Sequence, residues 1–265
     1  MIQYQVYPGG KTGIVTFSYD DGKPQDAELI ELFNAYGVKG TFHLNGKNYL
    51  TATDEEKARL REIYAGHEIA CHTLNHGYPT KMPVLAVLNE VMEDRKILES
   101  IAGYPVVGMS YPYGDYNDSV ISTMQTCGIV YSRTIDNTPS FRLPEEFMKW
   151  HPTSHHTNAL PLCERFIKRL EEKRHNPLLY IWGHSYEFKT QQHWDHMEQI
   201  LKLVSHNDKI WYATNIEIYN YVAAQKALQI SADEKMFYNP SAISVWIERN
   251  KEEIIEIPAG QTVIV

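Results

Sequence analysis

The chain has 265 residues, enough to bury a full hydrophobic core as one domain with at most a small appendage. A formal net charge of −8 provides no basic field to attract phosphate backbones, which argues against nucleic acid as a partner. Cys71, Cys127 and Cys163 lie far apart with no CxxC spacing, which argues against a disulfide framework and fits a reducing compartment. MIQYQVYPGG has no basic-then-apolar leader pattern, and no apolar run approaches ~18 residues. The expectation is a cytoplasmic chain without a membrane span.

Gly13-Ile14-Val15-Thr16-Phe17 reads as a buried strand running into Ser18-Tyr19-Asp20-Asp21-Gly22. Asp26 to Tyr36 has helical apolar spacing stopped by Gly37, and Val38 to Leu44 is a strand. Thr53 caps an acidic first helical turn, and His67 to Cys71 is a short strand. A long helix over Val84 to Ala102 ends at Gly103. Extended segments at Val106 to Met109 and Ile129 to Ser132 flank a helix over Asp118 to Cys127. Thr134 to Pro161 is polar, proline-punctuated loop, and long loops in compact domains often carry function. A helix over Leu162 to Arg174, the apolar strand Leu178 to Trp182, a helix over Trp194 to Ser205, the strand Lys209 to Ala213 and a helix over Ile216 to Leu228 complete the alternation. About seven strand–helix repeats predict parallel βα architecture. After residue 228, short strands at Met236 to Tyr238, Ile243 to Ile247, Ile254 to Ile257 and Thr262 to Val265 have no helices between them. They predict a β appendage, so the expected division is 1–228 and 229–265.

In parallel βα folds the functional groups gather at the carboxyl ends of strands. Here four strand ends deliver Asp20 and Asp21, His72 and His76, the Pro112-Tyr113-Gly114 turn after Ser110, and His184. Two adjacent carboxylates repel, and a metal held by one of them would offset that repulsion. His72 and His76 are four apart, which in a helical turn puts both imidazoles on one side. With a carboxylate as third ligand they suit a first-row metal with an open position for water. The remaining aspartate is then free to act as a general base.

The segments SYDDG, HTLNH, SYPYG and WGH, in that order, resemble the motifs of the metal-dependent polysaccharide deacetylases, carbohydrate esterase family 4, which share the NodB-homology domain. The resemblance runs over roughly residues 13 to 225 and implies a distorted (β/α)7-type barrel. It implies Asp20 as catalytic base, Asp21, His72 and His76 as metal ligands, and His184 as catalytic acid. Tyr113 would help hold the oxyanion through its backbone N–H. Ile181 and Trp182 would shape the pocket for the acetyl methyl group, and Trp150 would fill the aromatic-bearing fourth motif. The implied cofactor is a divalent ion, zinc first, and the implied partner a carbohydrate carrying an N-acetyl group.

The family's third motif opens with an arginine that orients the catalytic aspartate, whereas this chain has Ser110. Arg142 and Arg133 are the candidates to replace it, with Arg142 the expectation. His151, His155 and His156 make a second histidine-rich stretch, read as substrate contact or loop hydrogen bonding ahead of a second metal site. Glu187 meets His184, a substrate amine or solvent, and Asn45 serves a turn with Gly46 ahead of facing the cleft. Two other functions are open: an allantoinase-like amidohydrolase acting on a small cyclic amide, and an inactive carbohydrate-binding relative.

Overall fold

A computed structural model describes residues 2–4, 6–172, 176–250 and 253–265. A short strand β1 (Ile2–Gln3) precedes a parallel sheet of eight strands. These are β2 (Gly13–Asp20), β3 (Gly40–Leu44), β4 (Glu68–Cys71), β5 (Gly108–Ser110), β6 (Tyr131–Arg133), β7 (Ser154–His155), β8 (Leu178–His184) and β9 (Ile210–Tyr212). The helices are α1 (Asp26–Ala35), α2 (Asp54–Ile63), α3 (Val84–Ala102), α4 (Asp118–Thr126), α5 (Leu160–Glu171), α6 (Gln191–Val204) and α7 (Asn215–Ala227). Lys173 and Arg174, which the apolar spacing assigns to the end of α5, lie outside the described residues.

Seven strands follow the order β6-β5-β4-β3-β2-β8-β7, and β9 pairs with the first residues of β2. This is the parallel βα architecture expected from the alternation, curled into the (β/α)7-type barrel that the resemblance implies. β2 is buried at all eight positions, as a central parallel strand covered on both faces must be. Its period of two sorts the side chains cleanly. Val15, Phe17 and Tyr19 join the larger cluster beneath the helices, with Leu29, Phe33 and Phe42. Ile14 joins the cluster inside the curl, and Ser18 and Asp20 continue that face toward the strand's carboxyl end.

The curl closes through the loop-rich stretch. Trp150 makes a parallel bridge to Arg133, and Ser154 and His155 pair with Ile181 and Trp182. The two-residue β7 is absent from the sequence expectation because nothing local marks it; the pairing with β8 creates it. Trp150 is also a correction. It is 1% exposed, with its ring 4.9 Å from those of Phe147 and Tyr180 and 5.7 Å from that of Tyr131. It fills the barrel interior and presents no face to a substrate.

Helix ends follow local chemistry. Thr53 with Glu56 and Thr214 with Glu217 form capping boxes, and Gly103 ends α3 in the left-handed conformation that favours glycine. Five further strands follow α7: β10 (Gln229–Ile230), β11 (Met236–Tyr238), β12 (Val245–Arg249), β13 (Glu253–Ile257) and β14 (Thr262–Ile264). They form two three-stranded antiparallel sheets, one of which takes β1 from the amino terminus, around Phe237, Ile247 and Ile257. The appendage therefore includes residues from both ends of the chain.

Trp150→Ala should destabilise the protein by about 3–5 kcal/mol, the usual cost of removing a large buried aromatic. Urea unfolding checks this, and an unchanged midpoint would return Trp150 to the list of surface aromatics.

Candidate active site

The sequence places its strand-end groups together. Among the described residues, seven non-glycine residues have left-handed backbone, and four of them, Asp21 (φ 80°), Thr73 (φ 61°), His76 (φ 57°) and Tyr113 (φ 58°), belong to these strand-end segments. Each such conformation costs about 1–3 kcal/mol and persists where its surroundings enforce it. At Asp21 the reason is geometric. Strand alternation would aim its side chain away from that of Asp20. The left-handed residue breaks the alternation, and the Asp21 Oδ1 lies 3.7 Å from His72 Nε2 and 3.4 Å from His76 Nε2.

His72 and His76 meet by a route other than the expected helical turn. Residues 72–76 form an irregular loop, and its two left-handed residues bring the imidazole centroids within 4.7 Å. Helix α3 holds this loop in place. Asp94 accepts from the N–H groups of His72 (3.1 Å) and Gly46 (2.5 Å), and Glu90 accepts from the backbone and side chain of Asn75. Asn45 donates to the carbonyls of His72 (2.7 Å) and Thr73 (2.9 Å), a loop-latching role.

Donor atoms of Asp21, His72 and His76 all lie within 4.8 Å of one another. His72 Nδ1 donates toward the Ser110 carbonyl at 3.0 Å, which fixes the tautomer and leaves the Nε2 lone pair facing Asp21. Metal-ligating histidines are oriented in this way. Burial pushes the His72 pKa down to about 3, so the ring is neutral, as a ligand must be. Two imidazoles and one carboxylate fit a first-row divalent cation with an open coordination position.

Asp20 is buried at 2% exposure and lies between three partners. Arg133 forms an ion pair with Oδ2, the Ser110 hydroxyl donates to Oδ1 at 3.1 Å, and His43 Nδ1 lies 3.4 Å from Oδ1. Burial alone would raise its pKa, but Arg133, His72 and His43 outweigh it and hold the carboxyl well below the usual carboxylate range. This corrects the expectation for Arg142, which is exposed; the guanidinium comes from Arg133. Arg133 is the register partner of Ser110 on the neighbouring strand, so the charge is supplied one strand over from the family's position. The strand-end rule points to Arg133 too, once it is applied to the end of β6.

His184 pairs in register with Asp20 across β8 and β2, so the two side chains stand on one face. Glu187 Oε2 accepts from the His184 backbone N–H at 3.1 Å and lies 3.5 Å from its Nδ1. Burial lowers the imidazole's pKa, but Glu187 and Asp20 together raise it above its ordinary value. Trp182 is on the same face. The Arg133 guanidinium stacks 4.5 Å over its ring, and its Nε1 donates to Asn137 at 2.8 Å. Ile181 is the second correction: one residue out of phase, it packs under the helices in the outer cluster and cannot line a pocket on the Asp20 side. Tyr113 is half exposed, with its ring 4.5 Å from that of His76 and stacked 4.1 Å on Tyr78. A polar cleft reaches from Asp21, His76 and Tyr113 to Asn75, Lys23 and Lys47.

Zinc affinity of the Asp21–His72–His76 centre, measured by competition with a chromophoric chelator, should collapse in His72→Ala and Asp21→Ala. It should fall roughly 10–100-fold in Asp94→Ala, which touches the loop and no metal. An unchanged affinity in Asp94→Ala would remove α3 from the account of the site.

Residues 8–132 match the family described as polysaccharide deacetylase. Among curated proteins, a "Probable peptidoglycan-N-acetylglucosamine deacetylase" from Arthroderma benhamiae is 33% identical over 42% of this chain and 26% of its own length. A chitin deacetylase from Pestalotiopsis sp. is 30% identical over 42% of this chain and 38% of its own length. The chain thus spans well under half the length of these relatives. Among solved structures, the peptidoglycan deacetylase PdaC from Bacillus subtilis, in a D285S mutant form, superposes with a TM-score of 0.53 at 20% identity, covering 83% of this chain and 95% of that one. At that identity the likeness concerns the fold, which is the barrel described above. The matched segment, residues 8–132, carries Asp20, Asp21, His72 and His76 in motif order, and its similarity is to polysaccharide deacetylases.

Proposed function

We propose that the chain is a divalent-metal-dependent hydrolase that removes N-acetyl groups from an amino sugar or an oligo- or polysaccharide built from it. The observation that carries this reading is the register pairing of a buried, ionised Asp20 with His184, whose pKa Glu187 and Asp20 raise, next to an aspartate and two histidines able to hold one cation. An inactive carbohydrate-binding protein has no use for that pairing. When bound, a zinc-type cation lowers the pKa of water from 15.7 toward ~7 and polarises a carbonyl.

The chain's own groups supply the rest. Asp20, held ionised by Arg133 and oriented by the Ser110 hydroxyl, takes a proton as water adds to the acetyl carbonyl carbon. The Tyr113 N–H is the donor assigned to the developing oxyanion, a contribution of about 3 kcal/mol for a well-placed group. His184 delivers its proton to the amide nitrogen as the C–N bond breaks, since an unprotonated amine leaves poorly. The products are acetate and the free amino sugar. Trp182, fixed by Arg133 and Asn137, forms an apolar wall beside His184 suited to a methyl group.

The direct test is acetate release from N-acetylated chito-oligosaccharides and peptidoglycan fragments, before and after chelation. Release that chelation stops and zinc restores is the expected result. Chelator-insensitive hydrolysis of a cyclic amide favours the amidohydrolase alternative, and saccharide binding without turnover favours the binding protein.

Two variant sets follow. Arg142→Ala, on the surface, should leave turnover within about twofold. Arg133→Ala should cost about 3–5 kcal/mol of stability by stranding the buried Asp20 charge, and Arg133→Lys should lower kcat roughly 10²-fold through misplacement of Asp20. Unaltered kcat in Arg133→Lys would contradict the assignment. For pH dependence, the acid must be protonated, so kcat falls as pH rises through the His184 pKa, which lies above 6.5. Glu187→Gln removes a negative charge that favours the imidazolium, so the alkaline limb of the kcat–pH profile should move to lower pH. A limb that stays in place would dissociate Glu187 from His184.

A further inference from the structure

Glu187 has more imidazoles around it than a partner for His184 requires. His155 Nε2 is 3.1 Å from Glu187 Oε2 and His156 Nε2 is 3.6 Å from it, with His184 Nδ1 at 3.5 Å. Only the first of these is within ordinary hydrogen-bond length, so hydrogen bonding alone does not account for the convergence of a buried His156 on this carboxylate. Donor atoms of His155, His156 and Glu187 all lie within 4.8 Å of one another. The two contacts to Glu187 bracket the separation of about 3.4 Å between ligand atoms in a tetrahedral site with zinc–donor bonds near 2.0–2.1 Å.

The surroundings suit metal ligation as well. A histidine that coordinates through Nε2 needs an acceptor for its Nδ1–H. His156 Nδ1 lies 3.4 Å from the Tyr19 hydroxyl; His155 Nδ1 lies 2.9 Å from the Thr157 hydroxyl, which can accept from it, and also faces the Thr157 N–H at 3.4 Å. The His156 ring is set in place by stacking on Phe188 at 4.8 Å and Tyr19 at 5.8 Å. It occupies space that Gly183 leaves open: a Cβ there would sit 2.0 Å from His156 Nδ1. Two imidazoles with hydroxyl groups behind them, a carboxylate in front and a glycine clearing the His156 ring make a prepared donor set.

We propose that His155, His156 and Glu187 form a second site for a zinc-class divalent cation, separate from the Asp21–His72–His76 centre, and that filling it slows hydrolysis by drawing the Glu187 carboxylate away from His184. The binding half stands by itself; the inhibitory half rests on the hydrolase reading.

The test uses the full-length, tag-free chain and zinc as the probe, with bound metal counted after equilibrium dialysis at buffered free zinc. The wild type should bind two zinc ions with unequal affinity. His76→Ala and His155→Ala should each bind one, and the double variant none. His155→Asn, which retains a polar side chain, should match His155→Ala, and thermal melts confirm that each variant is folded. Saturation of the wild type at one zinc, or a second zinc retained in both His155 variants, overturns the site. In turnover, excess zinc should lower wild-type acetate release about tenfold or more, with His155→Ala resisting at the same free zinc. A second zinc bound without loss of rate overturns the inhibitory half. No acetate release at one zinc equivalent, with stoichiometry as expected, would instead overturn the hydrolase reading and leave the site standing.

Discussion

The structure of the site depends on one buried ion pair, Asp20 with Arg133. Taking two charges out of water costs several kcal/mol each, and their attraction offsets that only when the remaining donors and acceptors are also satisfied. Here they are. Arg133 donates from Nε to Ser18 and from Nη1 to the Thr134 carbonyl, and its face lies on Trp182. Asp20 receives the Ser110 hydroxyl in addition. The pair thus fixes a buried carboxylate in its charged state, and it ties β2, β5 and β6 together at their carboxyl ends.

Around that pair the chain reconciles two adjacent carboxylates. Asp20 keeps the strand's alternation and faces its buried partners. Asp21 leaves it through a left-handed residue and faces the imidazoles of His72 and His76. The same polar group serves both halves, because Ser110 donates its hydroxyl to Asp20 while its carbonyl accepts from His72. Base and metal ligands are therefore not independently adjustable. Asp94 and Glu90 on α3 add a second layer of support behind the histidine loop, at buried or shielded positions away from the reacting atoms.

Most of this architecture was legible in the sequence, and for physical reasons. β-branched runs alternating with amphipathic helices leave few alternatives to a parallel curl, and its strand ends then gather Asp20, Asp21, His72, His76 and His184. What was not legible depended on contacts between distant segments. Trp150 and Ile181 look alike in sequence to aromatic and aliphatic pocket residues, and only pairing phase turns one into the barrel interior and the other under the helices. Arg133 and Arg142 are equivalent as letters, and it is the register of β5 against β6 that selects the former. Strand β7 and the participation of β1 in the carboxyl-terminal sheet arise from long-range hydrogen bonding that no local pattern encodes.

Where one ion sits, and which aspartate touches it, decides the chemistry of the site. Crystals of the full chain loaded with one equivalent of zinc, measured at the zinc absorption edge, test it most directly. The strongest anomalous peak should lie about 2.0–2.2 Å from a carboxylate oxygen of Asp21 and from Nε2 of both His72 and His76, with Asp20 outside bonding distance. A peak bonded to Asp20, or one away from these three residues, would contradict it.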